Sequence, residues 1–418
     1  MDRRVFIVGG ANTTFLGKGH PDFVWKRHPD FGVRENPTLR ELLTEAVTGA
    51  SETTKVDLAR VDKAYVGNFV GELFVNQGHL GAALAGVHPD LALKPTMRVE
   101  GACASGGLAM MAGVDSIKAG SDVVLVAGVE VQTTASARIG GDYLARAADY
   151  SRQRAIDDFT FPALFARRTK HYREAFGVSE EDIGRMAVKA YSNANRNPKA
   201  HMRAKTMSLE KASAAGDGNP AFLTNEEFSA YMKVSDCSQV SDGASAMFLV
   251  SADGLKSLGI PESEVIELIG AGHAVSSLYE DGDFTALTTT AAAAERAYAA
   301  AGVKPGDVQV AEVHDCFTVT ELMMYEALGF AESGQGAALG RDGATAIDGA
   351  IPVNTGGGLV GFGHPVGATG VKQVVEIWRQ MKGKAGDYQI SAPPKVGVTA
   401  NMGGDDKTSV VGVYRNLE

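Results

Sequence analysis

The sequence predicts an α/β protein made of two related halves, and three observations carry that expectation. Short Val- and Ile-rich runs alternate with alanine-rich helical stretches, the order of those elements is stated twice, and a charged, loop-rich stretch separates the two statements. The alternation runs through Lys63 to Val66, then the helix after Cys103, then Asp122 to Gly128. Such a pattern places helices on a largely parallel sheet.

The repetition is weak residue by residue and clear in order. Val5 to Gly10 is echoed by Val265 to Gly272, and the strand at Ala64 to Asn68 by Val308 to His314. A small-residue turn, helix and strand from Glu100 to Gly128 returns from Asn354 to Gly404. Residues 1–132 with 237–262 are therefore expected to form one half and 263–418 the other, packed so that equivalent turns face each other. Residues 133–236 are expected as an inserted loop domain. Its basic clusters, Arg167-Arg168-Thr169-Lys170-His171 and Asn195 to Lys199, can hold a phosphorylated ligand, but solvated helix faces account for most such charges.

Composition excludes several classes. A chain of 418 residues exceeds one ordinary domain and has ample material for a core. The net charge of −10 comes with no basic block or Arg-rich stripe, which argues against nucleic acid as a partner. The run after Arg4 reads as a first strand rather than a signal sequence, and no stretch has the apolar length of a membrane span. Three widely spaced cysteines, Cys103, Cys237 and Cys316, fit neither a disulfide framework nor a zinc site, and a reducing cytoplasm suits them.

Four segments carry candidate chemistry. In Glu100-Gly101-Ala102-Cys103-Ala104-Ser105-Gly106-Gly107, Cys103 falls at a helix start, where unpaired N–H groups favour a thiolate and lower its pKa. The competing reading is a small cysteine used as packing. In Asn354 to Gly370, glycines crowd both sides of His364-Pro365. A histidine there can accept a thiol proton, and the glycines let a long thin ligand pass the backbone; otherwise His364 merely satisfies a turn.

Glu312-Val313-His314-Asp315-Cys316-Phe317 ends a predicted strand, so His314 and Cys316, two apart, point the same way. They can supply an oxyanion donor and a second thiol; zinc is the competitor, without a plausible third ligand nearby. Val398 to Asp406 is a strand and tight turn whose amides can face an oxyanion, or an ordinary hairpin.

Together, Gly-Ala-Cys103-Ala-Ser-Gly, His314-Asp315-Cys316-Phe317 and Gly363-His364-Pro365-Val366-Gly367-Ala368-Thr369-Gly370 resemble the thiolase superfamily over essentially the whole chain. The His-Asp-Cys-Phe motif, where ordinary thiolases carry Asn-Glu-Ala-Phe, resembles the branch related to sterol carrier protein 2 thiolases. The resemblance implies a thiolase fold, a layered αβαβα core plus the inserted domain. It implies thiolysis of a 3-ketoacyl-CoA, or the reverse condensation, through a thioester on Cys103. His364 would activate Cys103, Cys316 would move the α-carbon proton, and His314 with a water would form one oxyanion hole. The amides of Cys103 and Gly403 would form the other, while Ser238 and Gly363 would contact coenzyme A.

Asn401 stands where ordinary thiolases keep an acid/base cysteine, a loss consistent with Cys316 taking that role. Asp405-Asp406 have no counterpart that the resemblance explains. It further implies coenzyme A as a substrate with no permanently bound cofactor or metal, and a homodimer or dimer of dimers. The resemblance also implies, as for some thiolases of this broad branch, a separate small zinc-containing OB-fold partner. A decarboxylating condensing enzyme and a non-catalytic acyl-CoA binder are the competing classes; Cys316 argues against the first and the four polar side chains against the second.

Overall fold

A computed structural model describes residues 3–417, so the outermost residues of the two expected halves lie outside the described residues. Nine strands form one continuous sheet: β1 (Val5–Asn12), β2 (Lys63–Gly67), β3 (Thr96–Val99), β4 (Val123–Glu130), β5 (Gly243–Val250), β6 (Ile266–Val275), β7 (Val310–Glu312), β8 (Val396–Gly403) and β9 (Thr408–Asn416), in the order β3-β2-β4-β5-β1-β6-β9-β8-β7. Read outward from the β1–β6 seam, both sides pair antiparallel, antiparallel and then parallel, and the β1 side carries one further edge strand, β3. Both seam strands carry a register irregularity, at Ile7/Gly9 and at Leu268/Gly270.

The expectation of a largely parallel sheet is corrected. Only β2–β3, β2–β4 and β7–β8 pair in parallel, whereas β1–β5, β1–β6, β4–β5, β6–β9 and β8–β9 are antiparallel. The apolar runs misled because a strand buried on both faces reads the same in either direction. β4 and β5 are buried at every position.

The principal helices are α1 (Leu39–Thr54), α2 (Ser105–Lys118), α3 (Thr160–Phe176), α4 (Glu180–Arg196), α5 (Thr288–Ala301), α6 (Thr318–Ala327) and α7 (Thr369–Met381). A Thr38–Glu41 capping box starts α1, whose Leu42, Leu43, Ala46 and Val47 pack on the outer face of β1, β4 and β5. On the far side, α5 packs on β6 and β9, its Ala293 and Ala297 sharing a core with Val398, Ala400 and Val411, and α6 packs against α5 and adds Leu322 and Met323 to that core. Between these layers lie α2 and α7. Val114 and Ile117 of α2 and Val371, Val374 and Ile377 of α7 share one core with Val124 and Met247 from one side and Val310 and Val410 from the other. The layers therefore run helix, sheet, helix, sheet, helix.

Glycine lets the two central helices meet. A Cβ on Gly106 would lie 2.9 Å from Gly370 N, and one on Gly370 would lie 2.7 Å from Gly106 C. Backbone touches backbone there, and the starts of α2 and α7 are held side by side.

Candidate active site

Cys103 sits in a single 3₁₀ turn, Ala102–Ala104, immediately before α2. Ala102 adopts φ +52°, a left-handed conformation that a residue with a Cβ enters only at about 1–2 kcal/mol. Local bonds hold it: Ala102 N–H donates to Glu100 Oε1 (2.6 Å), Gly101 N–H to Ser105 Oγ (3.1 Å), and Ser105 Oγ to Ala102 O (2.6 Å). The strained turn presents Cys103 at the helix start.

His364 stands on the turn before α7. Its carbonyl accepts from Gln132 Nε2 (2.9 Å), its amide donates to Ser241 Oγ (3.2 Å), and its Nδ1 bonds Thr369 Oγ1 (2.7 Å). Among the described residues, its buried Nε2 has no hydrogen-bond partner. His314 follows β7, which ends at Glu312, and Asp315 N–H closes onto Val313 O (3.1 Å). A turn rather than strand alternation therefore aims His314 and Cys316.

These segments converge. Cys103 Sγ and one ring nitrogen each of His314 and His364 lie within 4.8 Å of one another, and the two rings meet edge to face at 5.0 Å. A thiol and two imidazoles at this spacing are chemically able to ligate a divalent cation, but the group leaves out Cys316, the other member of the pair that the sequence offered for zinc. The Cys316 thiol lies 3.9 Å from Thr320 Oγ1, pushed well above its ordinary pKa by burial and next by neighbouring Cys103.

The expected lowering of the Cys103 pKa is not observed. Cys103 keeps partial exposure but is ringed by Phe69, Phe74, Tyr143, Leu144, Phe161 and Val366. Burial pushes its thiol up to about 12; the Gly404 N–H opposes the rise, and the Glu130 and Glu100 carboxylates add to it. Burial also lowers His364 to about 3, helped by the Lys372 ammonium, and holds His314 well below the usual imidazole range, helped by His364 and Lys372. Burial thus favours the neutral form of all three groups.

The surrounding shell was largely missed in the sequence. Glu130, at the end of β4, accepts from Phe69 N (2.8 Å), Val70 N (3.2 Å), Gly367 N (3.1 Å) and Asn68 Nδ2 (2.9 Å), tying two loops to one strand. Asp315 accepts from Leu359 N (2.7 Å), fixing the glycine-rich loop. Buried Lys372 pairs with Glu312 at 2.7 Å. Asn401 on β8 touches three parts of the site, accepting from Gly107 N (3.0 Å) through Oδ1 and reaching Cys103 O (3.0 Å) and His314 Nδ1 (3.2 Å) through Nδ2.

Other expectations resolve here. Gly363, at φ +118°, is closely packed, and a Cβ there would lie 2.7 Å from Ser241 Oγ. Gly403 packs on the turn bearing Cys103, where a Cβ would lie 3.1 Å from Ala104 N. Ser238 N–H donates to Cys316 O (2.9 Å), and Cys237 Sγ packs 3.5 Å from Met232 Sδ. Asp405 pairs with buried Arg168, and Asp406 receives Thr289 N (2.8 Å), Thr290 N (3.1 Å) and Thr290 Oγ1 (2.8 Å) at the start of α5. Arg168 is thus an internal tie rather than part of a solvated face, and Arg167 stacks over Phe284 at 4.1 Å.

Comparison with known proteins gives one consistent answer. Family models described as the thiolase N-terminal domain and the thiolase C-terminal domain-like match residues 28–253 and 270–416. Acetyl-CoA acetyltransferase of Methanothermobacter thermautotrophicus is 34% identical over 90% of this chain and 94% of its own. Human sterol carrier protein 2 is 28% identical over 96% of this chain and 70% of its own. The solved Ltp2-ChsH2(DUF35) aldolase shares the fold at a TM-score of 0.77 and 21% identity, over 99% of this chain and 98% of its own.

Proposed function

The chain belongs to the thiolase superfamily, and from that membership we propose that it transfers acyl groups between CoA thioesters through Cys103. The carrying observation is the thiol–imidazole–imidazole triangle with Cys316 beside it. In the degradative direction, Cys103 Sγ attacks the 3-keto carbon of a 3-ketoacyl-CoA as His364 Nε2 takes its proton. The bond between the α- and β-carbons then breaks, leaving S-acyl-Cys103 and the enolate of acetyl-CoA. Cys316 protonates that α-carbon, and the thiol of a second coenzyme A displaces the acyl group. The reverse sequence is a condensation.

Oxyanion stabilisation falls to His314 and to the amides of Cys103 and Gly403, and developing charge in a buried site makes such donors effective. Ser238 and Gly363 are assigned to coenzyme A. The aromatic ring around Cys103 favours an apolar acyl group, as in fatty-acid breakdown. The two halves and the 133–236 insert are read as functional units, the insert covering the CoA side. β3 is an edge strand with exposed Met97, which supports a homodimer paired there. The name of the aldolase neighbour joins two components, which supports a separate OB-fold partner here as well. Free cysteines suit a cytoplasmic setting.

Incubation with acetyl-CoA and labelled CoA tests the scheme. Cys103→Ala should neither acylate nor exchange, whereas Cys316→Ala should do both yet cleave 3-ketoacyl-CoA about 10²–10⁴-fold more slowly. Stable label on Cys316 or Cys237 with none on Cys103 would overturn it.

A further inference from the structure

We infer that Asn401 is a positioning residue that fixes His314 as the Nε2–H tautomer, so that the two histidines beside Cys103 carry their protons on opposite nitrogens. The inference deepens the acyl-transfer reading and rests on it only for its catalytic meaning.

The orientation of the Asn401 amide is set by two partners whose roles are unambiguous. Gly107 N–H can only donate, so the atom 3.0 Å from it is Oδ1; Cys103 O can only accept, so the atom 3.0 Å from it is Nδ2. The second N–H of Nδ2 points to His314 Nδ1 at 3.2 Å. That nitrogen must therefore present a lone pair, and in a neutral imidazole the proton then sits on Nε2.

His364 is held the other way. Thr369 Oγ1 has one proton and directs it to Pro365 O at 3.1 Å, leaving its lone pair for Nδ1–H of His364 at 2.7 Å. The partnerless Nε2 is then a lone pair, and an unpaired lone pair is tolerated in a buried site better than an orphaned N–H. One ring is left to accept a proton and the other to donate a hydrogen bond, although the two environments are similarly buried. The amide where ordinary thiolases are expected to have a cysteine thus sets the role of its neighbour. A thiol at that position offers one weak donor and cannot bridge three groups.

Long-range proton–nitrogen correlation on ¹⁵N-histidine-labelled protein reads the tautomers directly, with His314→Gln and His364→Gln assigning the two signals. The expected result is Nε2–H on His314 and Nδ1–H on His364 near neutral pH. Nδ1–H on His314, or two tautomers in exchange, overturns the inference. In Asn401→Asp, a carboxylate replaces the amide donor; His314 should switch to Nδ1–H and kcat fall about 10²–10³-fold with the KM for acyl-CoA little changed. Retention of Nε2–H or of wild-type kcat in that variant counts against it. If Asn401→Asp does not fold, the wild-type spectrum decides. If the tautomers are as stated but Cys103 is never acylated, the acyl-transfer reading fails while this one stands.

Discussion

Gly128→Ala tests how tightly β4 positions His364, the base of the proposed acyl transfer. A Cβ on Gly128 would lie 2.8 Å from Ala368 Cα and 3.0 Å from Gly367 C, and closer still to Gly367 O. All three are backbone atoms of the turn between His364 and α7, so no side chain can swing aside. Carbon atoms settle at about 3.5–4.0 Å, so the turn must retreat by roughly 1 Å. It cannot retreat freely, because Gly367 N is bonded to Glu130 and His364 O to Gln132, both just beyond Gly128 on the same segment. Overpacking of this kind destabilises by about 1–3 kcal/mol, and a displacement of about 1 Å between reacting groups lowers kcat by about 10²-fold. Steady-state acyl exchange and thermal melting measure both. Gly216→Ala, at a glycine with nothing within 4 Å of an added Cβ, serves as the silent control. A Gly128→Ala enzyme with kcat within threefold of wild type and an unchanged melting temperature would refute the reasoning.

Three further outcomes follow. Burial raises Glu130 from 4.5 to about 7, so its folded pKa lies above its unfolded one; its contribution is fully present below about pH 4.5 and lost as pH rises through 7, a change of about 3 kcal/mol. Glu130→Gln removes that titration, so urea unfolding should show the variant gaining on wild type by about that amount between pH 4.5 and 7.5, and parallel curves would contradict it. Because the Cys103 thiol is raised, iodoacetamide should label it slowly at pH 7 and faster with each pH unit; a plateau with its midpoint below pH 8 would show a resting thiolate. Asp406→Ala removes the acceptor for two amides and a hydroxyl at the start of α5 and should cost about 1–2 kcal/mol in chemical denaturation without altering KM; no loss of stability would count against it.

What the sequence disclosed was local. Cys103 and His364 stood out because each lies among glycines just before a helix, and the need for small residues is visible wherever backbones touch. Strand direction was not visible, since it depends on connections rather than on the strand's own residues. The depth of Cys103 was not visible either, because its apolar ring is drawn from segments 69–75, 135–161 and 366. Glu130 looked like the end of an apolar run until loops from both sides brought their amides to it. Asp405 and Asp406 found their partners at Arg168 and Thr289–Thr290, more than a hundred residues away. Asn401 was read for the cysteine it replaces, whereas its amide bridges three segments.

The pairing pattern repeated on both sides of the β1–β6 seam has a consequence for ancestry. About the β1–β6 seam, α2 corresponds to α7, so the turn bearing Cys103 and the turn bearing His364 occupy equivalent places. Two identical copies meeting at that seam would set cysteine against cysteine or histidine against histidine. A thiol facing a base requires unlike residues at equivalent addresses, which a symmetric pair encoded by one short gene cannot provide. Fusion into a single chain removes that restriction: each copy can mutate alone, one keeping a cysteine at its turn and the other a histidine. In this fold, division of labour at the centre follows from having joined the copies end to end.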